Sequence, residues 1–415
     1  MVWRAKPGPA HAAATWSLPV TSVCTKLGAW TFGRLMSDMA TPAGISPSDF
    51  VRNWLRSWQL DQVINSDSVP NRNIAILSSV INAWQTASGG PNAPLDVSIA
   101  PFRLLAIVNR VDLRGNTLYG GGVPKNPCDP ACIGGESRFV FCVVNPATCT
   151  ELPFTVILEY CNPPTTCSGI KAWAKQWADL NLLNFSPGFN AALQVITDQF
   201  AGLAKNPSQM PNQSFLNQLR SNEILNSPWQ CLQWELSGAG SDAGHLRQST
   251  VNQTPDIAHQ NTMFLQSFVT DNLAAAAAGK HTIPLLYGPA GQQKLPFLGA
   301  TAPMSSPGFF WNFPGSTAST TTKAARHHIS LNSCNGCHAG ETGTPFLHVS
   351  CRSPGFPAPL SQFLTGVANF PDPVDNSITY TYADLERRVQ DLDCVVNSPC
   401  LFQIGFKVLS KFSVH

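Results

Sequence analysis

Charge is scarce in this sequence of 415 residues. Asp, Glu, Lys and Arg together make up 12% of it, about half of the usual share, and the formal net charge is only +2. Such a weak net charge gives no electrostatic footprint for a nucleic acid or another polyanion. No apolar run reaches the ~18 residues that a transmembrane helix needs. The sequence therefore predicts no nucleic-acid partner and no transmembrane segment.

The motifs of several common enzyme classes are also missing. No Gly-x-Gly-x-x-Gly opens a strand–helix unit, and neither a P-loop nor a Gly-x-Ser-x-Gly elbow occurs. The sequence thus gives no evidence for dinucleotide binding, P-loop nucleotide hydrolysis or an α/β-hydrolase. No catalytic residues are predicted, and whether the protein is an enzyme stays open.

Cysteine, in contrast, is abundant, with 13 residues. That number is high for a reducing compartment and predicts disulfides in a periplasmic or extracellular protein. The N-terminus has no apolar core of a signal peptide, so we expect that the signal was lost or lies upstream. Disulfide connectivity stays open at this point, because spacing alone does not fix it. Four pairs are close enough to close short loops: Cys128/Cys132, Cys142/Cys149, Cys161/Cys167 and Cys394/Cys400.

The most specific motif is Cys-x-x-Cys-His at residues 334–338. This pattern is the attachment signature of c-type haem. Two thiols one helical turn apart reach two vinyl groups on one edge of the porphyrin, and the next residue points at the ring centre. The motif predicts covalent haem c on Cys334 and Cys337, with His338 as the proximal ligand of the iron.

A zinc site is the main alternative for the same cysteines. Cys334 and Cys337 are followed by His348 and Cys351, and the four residues have the spacing of a zinc knuckle. In that case Zn²⁺ would stabilise a surface or interaction module. We favour haem because zinc leaves His338 without a role.

At these residues the chain resembles single-haem c-type cytochrome domains. Gly343-Thr344-Pro345 is similar to the loop whose proline packs near the proximal histidine in that family. The longer string RHHISLNSCNGCHAGET, at residues 326–342, resembles one in uncharacterised exported bacterial proteins with a large N-terminal region. The resemblance implies haem-based electron transfer with an unidentified redox partner, and it leaves the oligomeric state unknown.

The sixth ligand of the iron departs from the family pattern. Electron carriers of this family usually use a methionine after the motif, whereas all six methionines precede His338. His348 is the first distal candidate, because the segment Phe346-Leu347-His348 could wrap around the ring; His327, His328 and Met304 are the others. Two imidazoles would give a low-potential electron carrier. An open sixth position would instead give a peroxidase-type haem enzyme, the second alternative function.

Hydrophobic patterns predict an α+β fold with a small antiparallel sheet. Glu159 lies inside one of the apolar runs and Arg138 begins another, and we interpret them as a structural ion pair at the sheet rim rather than as catalytic groups. Residues 109–114 are interpreted in the same way, as a salt-bridge cluster that anchors a loop. The predicted strands are residues 103–108, 138–144 and 154–160.

Several helices and two domains complete the prediction. Periodic apolar residues predict helices at 213–225, 256–278 and 381–396, among others. A Ser/Thr-rich run ends at residue 322 and predicts a domain boundary. A mixed region at 1–315 would then precede a small, mostly helical cytochrome c-like domain at 323–415.

Overall fold

The computed structural model describes residues 2–4, 28–114, 133–146, 148, 150–184, 186–225, 228–304, 306–352 and 356–400. Helices and antiparallel strands are mixed along this part of the chain, so the predicted α+β class is confirmed. The strands, in chain order, are β1 (Val2–Arg4), β2 (Gln62–Ile64), β3 (Asp67–Val69), β4 (Phe102–Arg110), β5 (Glu136–Val144), β6 (Glu151–Cys161), β7 (Leu216–Glu223), β8 (Trp229–Leu236), β9 (Leu246–Ser249), β10 (Leu286–Tyr287), β11 (Leu295–Pro296), β12 (Ala302–Met304), β13 (Val367–Pro371) and β14 (Thr379–Tyr382).

Helices precede, interrupt and follow the strands. A π-helical turn, Leu77–Ile81, joins two of them. None of the helices in the described residues has the length and hydropathy of a membrane span. The α-helices are α1 (Phe32–Ala40), α2 (Pro47–Leu55), α3 (Asn73–Ile76), α4 (Asn82–Ala87), α5 (Cys167–Asp179), α6 (Pro187–Thr197), α7 (Met263–Asp271), α8 (Leu273–Ala277), α9 (Thr320–Leu331), α10 (Cys334–Cys337), α11 (Gln362–Thr365) and α12 (Asp384–Asn397).

The main sheet has eight antiparallel strands in the order β1-β4-β5-β6-β7-β8-β12, with β9 also paired to β8. It is thus larger than the small sheet predicted from three apolar runs, although each of those runs does form a strand. Alternation along β5 shows how its two faces differ. Phe139 and Phe141 point into the principal apolar core, which α1, α2, α5 and α6 cover. Arg138 and Val140 point to the opposite face.

This opposite face carries charge at its centre. Arg138 and Glu159 pair across β5 and β6, with Nη2 3.4 Å from Oε2, and Arg220 of β7 donates to the same carboxylate at 2.8 Å. The predicted ion pair is therefore present, but it lies in the middle of the sheet rather than at its rim. Because all three side chains are buried, another layer must cover this face, and the C-terminal part of the chain does so.

Three helix predictions need correction. Residues 213–225 were predicted to be helical, yet they contain β7, because pairing with both β6 and β8 outweighs a weak local preference. The helix predicted at 256–278 is broken, since Thr262 caps a new start at α7 by accepting a hydrogen bond from Leu265 N. The helix predicted at 381–396 begins later, at α12, because Thr381 belongs to β14.

Two disulfides between described residues join distant parts of the chain rather than neighbouring cysteines. Cys142 pairs with Cys351, and Cys167 pairs with Cys400. The predicted pairs Cys142/Cys149, Cys161/Cys167 and Cys394/Cys400 are therefore wrong, and Cys394 remains a thiol. The pair Cys128/Cys132 lies outside the described residues. Packing of the C-terminal segment on the sheet, not sequence distance, decides which sulfurs meet.

Residues on the two sides of the predicted boundary at 315–323 contact each other extensively. The disulfides Cys142–Cys351 and Cys167–Cys400 cross it, and Arg114 and Asp391 form a buried ion pair across it. Leu392 and Val395 of α12 belong to the apolar core that α5 and α6 share. The boundary itself stays a prediction from the sequence.

Candidate functional site

The Cys-x-x-Cys-His motif forms a short helical turn, α10, on the charged face of the sheet. Ser333 caps this turn, its Oγ accepting a hydrogen bond from Gly336 N at 3.2 Å. Cys334 N donates to Thr254 Oγ1 at 3.0 Å. A Cβ atom at Gly336 would lie 2.2 Å from Ser330 O, so only glycine lets the turn fold back against α9. The turn therefore holds both cysteines in the interior, where Cys334 and Cys337 are 2% and 0% exposed.

His338 is held in the orientation that a metal ligand needs. Its Nδ1 donates to the carbonyl oxygen of Phe346 at 2.6 Å, which places the imidazole lone pair on Nε2. The ring of Trp229 stacks on it with centroids 5.7 Å apart. Burial, together with nearby Arg220, lowers the pKa of His338 to about 4. The imidazole is thus neutral at physiological pH, as metal ligation requires.

His348 lies directly beside the motif. Its Nε2 is 3.4 Å from the sulfur of Cys337, and its Nδ1 is 2.8 Å from Ser361 Oγ. Burial raises the pKa of the Cys337 thiol and, with the charges of neighbouring groups, lowers that of His348. The pair is therefore a thiol and a neutral imidazole, which is unlike the thiolate–imidazolium pair of a cysteine hydrolase.

The donor atoms suit a c-type haem, whereas the space around them is closed. The rings of His338 and His348 have centroids 4.4 Å apart. Two imidazoles on opposite sides of one iron need about 6 Å, from two bonds of ~2.0 Å and the ring radii. A cavity of about 70 Å³ lies next to both rings, far less than a porphyrin occupies. The described arrangement of the two rings therefore does not leave room for a haem between them.

The predicted zinc ligands are not brought together. Cys351 forms the disulfide with Cys142 of β5, so its sulfur is not available to a metal ion. The predicted zinc-ligand set of Cys334, Cys337, His348 and Cys351 is therefore wrong, because Cys351 is in a disulfide and cannot bind zinc.

The other distal candidates have different surroundings. His327 contacts Glu341 Oε1 through Nδ1 at 2.5 Å and stacks on Tyr380 with centroids 3.7 Å apart. His328 packs against Gly279. Met304 of β12 belongs to the same apolar cluster as Cys334, so it is placed beside the motif.

A buried ion-pair cluster fixes the chain just after the motif. Arg326 binds both oxygens of Glu341, at 2.6 and 2.9 Å, and also Asp372 at 2.6 Å. Burial raises the pKa of Glu341, but His327 and Arg326 outweigh it and lower the pKa to about 2. His327, Glu341 and Asp372 are close enough to hold a metal ion. Arg326 already occupies the space between the two carboxylates, so we interpret the cluster as structural.

Three residues of the site escaped the sequence analysis. Cys231 of β8 hydrogen-bonds to the thiol of Cys334, which, with burial, raises the pKa of Cys231. Arg220 Nη1 lies 3.5 Å from the sulfur of Cys334, and Trp229 stacks on His338. These contacts come from strands far away in sequence, so no local spacing could have revealed them.

No family model, no curated protein and no solved structure matches this chain. The geometry of the site must therefore carry the functional argument.

Proposed function

We propose that the chain is an exported c-type haem protein that transfers electrons. The observation that carries the proposal is the hydrogen bond from His338 Nδ1 to the carbonyl of Phe346. It fixes the imidazole with its lone pair on Nε2, immediately after two thiols on one helical turn. Histidines that ligate metals are commonly held by such a hydrogen bond.

Each residue of the motif has a defined part in this proposal. Cys334 and Cys337 would hold the porphyrin as thioethers, and His338 would supply the proximal nitrogen. When bound, the haem would supply a one-electron couple whose potential depends on the axial ligands, burial and nearby charge. Trp229, which stacks on His338, would limit rotation of its imidazole. Arg220 would place a positive charge beside the sulfur of Cys334.

His348 is the distal candidate, and attachment itself would change its surroundings. Its Nε2 contacts the thiol of Cys337 at 3.4 Å. A thioether at Cys337 has no S–H proton, so this contact would lose its hydrogen bond. Loss of this hydrogen bond would remove one of the contacts that hold the His348 ring in place.

The test is a visible spectrum of the protein secreted together with a haem-maturation system, followed by a haem stain on a denaturing gel. We expect a c-type reduced spectrum and a stain that survives denaturation. Cys394→Ser, which changes a thiol outside the site, should leave the stain unchanged, whereas Cys337→Ser should remove a thioether. A colourless, unstained wild-type protein would exclude the proposal.

A peroxidase-type haem enzyme is the alternative function. The close approach of the His338 and His348 rings supports it. If the rings do not separate, His348 cannot ligate the iron from the opposite side. Such a haem would be high-spin, and cyanide would shift its spectrum strongly. A haem with two imidazole ligands should barely respond, and His348→Ala should then convert it to the responsive form.

A further inference from the structure

A third cysteine faces the motif from the main sheet. Cys231 of β8 is paired with Asn222 of β7 and with Ala302 of β12, so strands on both sides hold it in place. Residues that pair directly across antiparallel strands share a face of the sheet. Asn222 lies two residues after Arg220, whose Nη1 is 3.5 Å from the sulfur of Cys334, and therefore shares its face. Cys231 thus points to the face on which α10 lies.

The motif turn is anchored over this part of the sheet. Asn335 Nδ2 donates to the carbonyl oxygen of Pro303 in β12 at 3.1 Å, and its Oδ1 accepts a hydrogen bond from Trp311 Nε1 at 2.7 Å. Cα atoms of α10 come within 8 Å of Cα atoms in β8. The thiols of Cys231 and Cys334 are hydrogen-bonded to each other as a result. Sulfurs in such contact need only small side-chain rotations to reach the S–S bond length of about 2 Å.

The surroundings of the two sulfurs suit a disulfide. Cys231 and Cys334 are both thiols, and each is 2% exposed. They belong to an apolar cluster that also contains Trp229. A disulfide is uncharged, so it fits such surroundings without the cost of a buried charge. The sulfur of Cys337 contacts Nε2 of His348 at 3.4 Å, and Cys334 is therefore the motif sulfur that a contact joins to Cys231.

We propose that Cys231 and Cys334 form a disulfide when the chain is oxidised before haem is attached, and that this bond excludes a thioether at Cys334. The co-reactant is a protein disulfide oxidant, the class that the Cys142–Cys351 bond also requires. The thiolate of Cys334 attacks the disulfide of the oxidant, and the thiolate of Cys231 then displaces the oxidant from the mixed disulfide. One S–S bond forms in the chain, and its two electrons and two protons reduce the oxidant to a dithiol.

The exchange has to take place before folding is complete, because a protein oxidant cannot reach the two sulfurs once they are buried. In the folded contact, the guanidinium of Arg220 favours the thiolate form of a neighbouring sulfur. Attachment of haem adds an S–H group across a vinyl group, and a disulfide sulfur carries no hydrogen. Cys334 would therefore need a dithiol reductant before it could form a thioether. This consequence rests on the proposed function, whereas the disulfide itself does not.

The experiment maps disulfides in the full chain, secreted without haem-attachment machinery. Thiols are blocked with N-ethylmaleimide in denaturant, and the unreduced chain is digested with chymotrypsin, which cleaves after aromatic residues and leucine. This digestion releases Cys231 within residues 230–232 and the motif within residues 332–346, separate from Cys351. Mass spectrometry then shows which sulfurs are linked and which carry maleimide.

We expect the two peptides as one linked species, with two hydrogen atoms fewer than the separate peptides and with maleimide on Cys337. Dithiothreitol should separate them. Cys394→Ser, which changes a thiol elsewhere in the chain, should keep the link. Maleimide on both Cys231 and Cys334 would overturn the proposal, and so would a bond between Cys334 and Cys337.

A second measurement tests the competition with haem. Cys231→Ala keeps a small apolar side chain in the cluster, and it should leave Cys334 as a thiol that maleimide modifies. If this variant does not fold, Cys231→Ser replaces it. Secreted with a haem-maturation system, the variant should show a larger haem-stained fraction than the wild type, and Cys394→Ser should not.

Equal stained fractions in the wild type and Cys231→Ala would overturn the competition between the disulfide and haem. An absence of stain in both chains would refute the proposed function alone, because the disulfide is mapped without haem.

Discussion

Replacement of Glu341 by Gln should destabilise the protein by several kcal/mol. The carboxylate is fully buried and binds Arg326 through both oxygens. Removal of one partner of a buried ion pair typically costs about 3–5 kcal/mol, and here Arg326 would be left with Asp372 as its carboxylate partner. The pKa of Glu341 gives a second value: a decrease from 4.5 to about 2 corresponds to about 3 kcal/mol, at roughly 1.4 kcal/mol per pH unit. The two values agree.

The pH dependence of this stabilisation follows from the sign of the shift. Because the folded state lowers the pKa of Glu341, the stabilisation is complete above pH 4.5 and is lost as pH falls towards 2. Wild-type protein should therefore lose stability over this range, and Glu341→Gln should lose less. Urea denaturation, followed by tryptophan fluorescence at several pH values, measures both quantities.

A matched control distinguishes burial from charge removal in general. Asp179 pairs with Lys175 on the surface of α5, where both side chains are about half exposed, so Asp179→Asn should cost less than about 1 kcal/mol. In the double variant Glu341→Gln/Arg326→Met, the loss should not be recovered, because the buried carboxylate of Asp372 then loses its arginine partner. A cost below about 1 kcal/mol for Glu341→Gln would refute the reasoning.

Three further predictions concern the motif and its surroundings. Gly336→Ala should lower the melting temperature strongly, since its Cβ would overlap a carbonyl oxygen, whereas Gly188→Ala, whose Cβ meets nothing closer than 3.6 Å, should not. Cys351→Ser removes the disulfide to β5 and should cost about 2–4 kcal/mol in urea denaturation, whereas Cys394→Ser should be nearly neutral. Burial lowers the pKa of His338, so the cofactor-free protein should lose stability as pH falls from 6.5 towards 4; a flat profile there would contradict its burial as a neutral imidazole.

The sequence predicted those features of the fold that depend on residues close together in the chain. Apolar runs identified β4, β5 and β6, because residues of a fully buried strand are visible in the sequence. The motif at residues 334–338 predicted two cysteines on one helical turn, which α10 forms, and its haem assignment stays a prediction. The prediction of a structural Arg138–Glu159 pair was also correct.

Pairing between strands and cysteines that are distant in sequence could not be predicted, because local patterns do not contain it. Strand β7 has too few apolar residues to show alternation, and it becomes a strand only between β6 and β8. The partner of Cys142 lies beyond the motif, at Cys351, where no spacing rule points. Arg388 of α12 lines a cavity, which only the folded chain shows.

If haem is attached as proposed, the burial of the two motif cysteines sets an order for the biogenesis of the protein. Cys334 and Cys337 are 2% and 0% exposed, and the disulfide from Cys142 to Cys351 ties the following segment to the sheet above them. A synthase that joins haem to these sulfurs can reach them only while the chain is open. Oxidation and haem ligation would therefore compete in time during export. Chains that oxidise first would fold into a compact form that later haem supply cannot convert, so yield would depend on the relative rates of two enzymes rather than on haem supply alone.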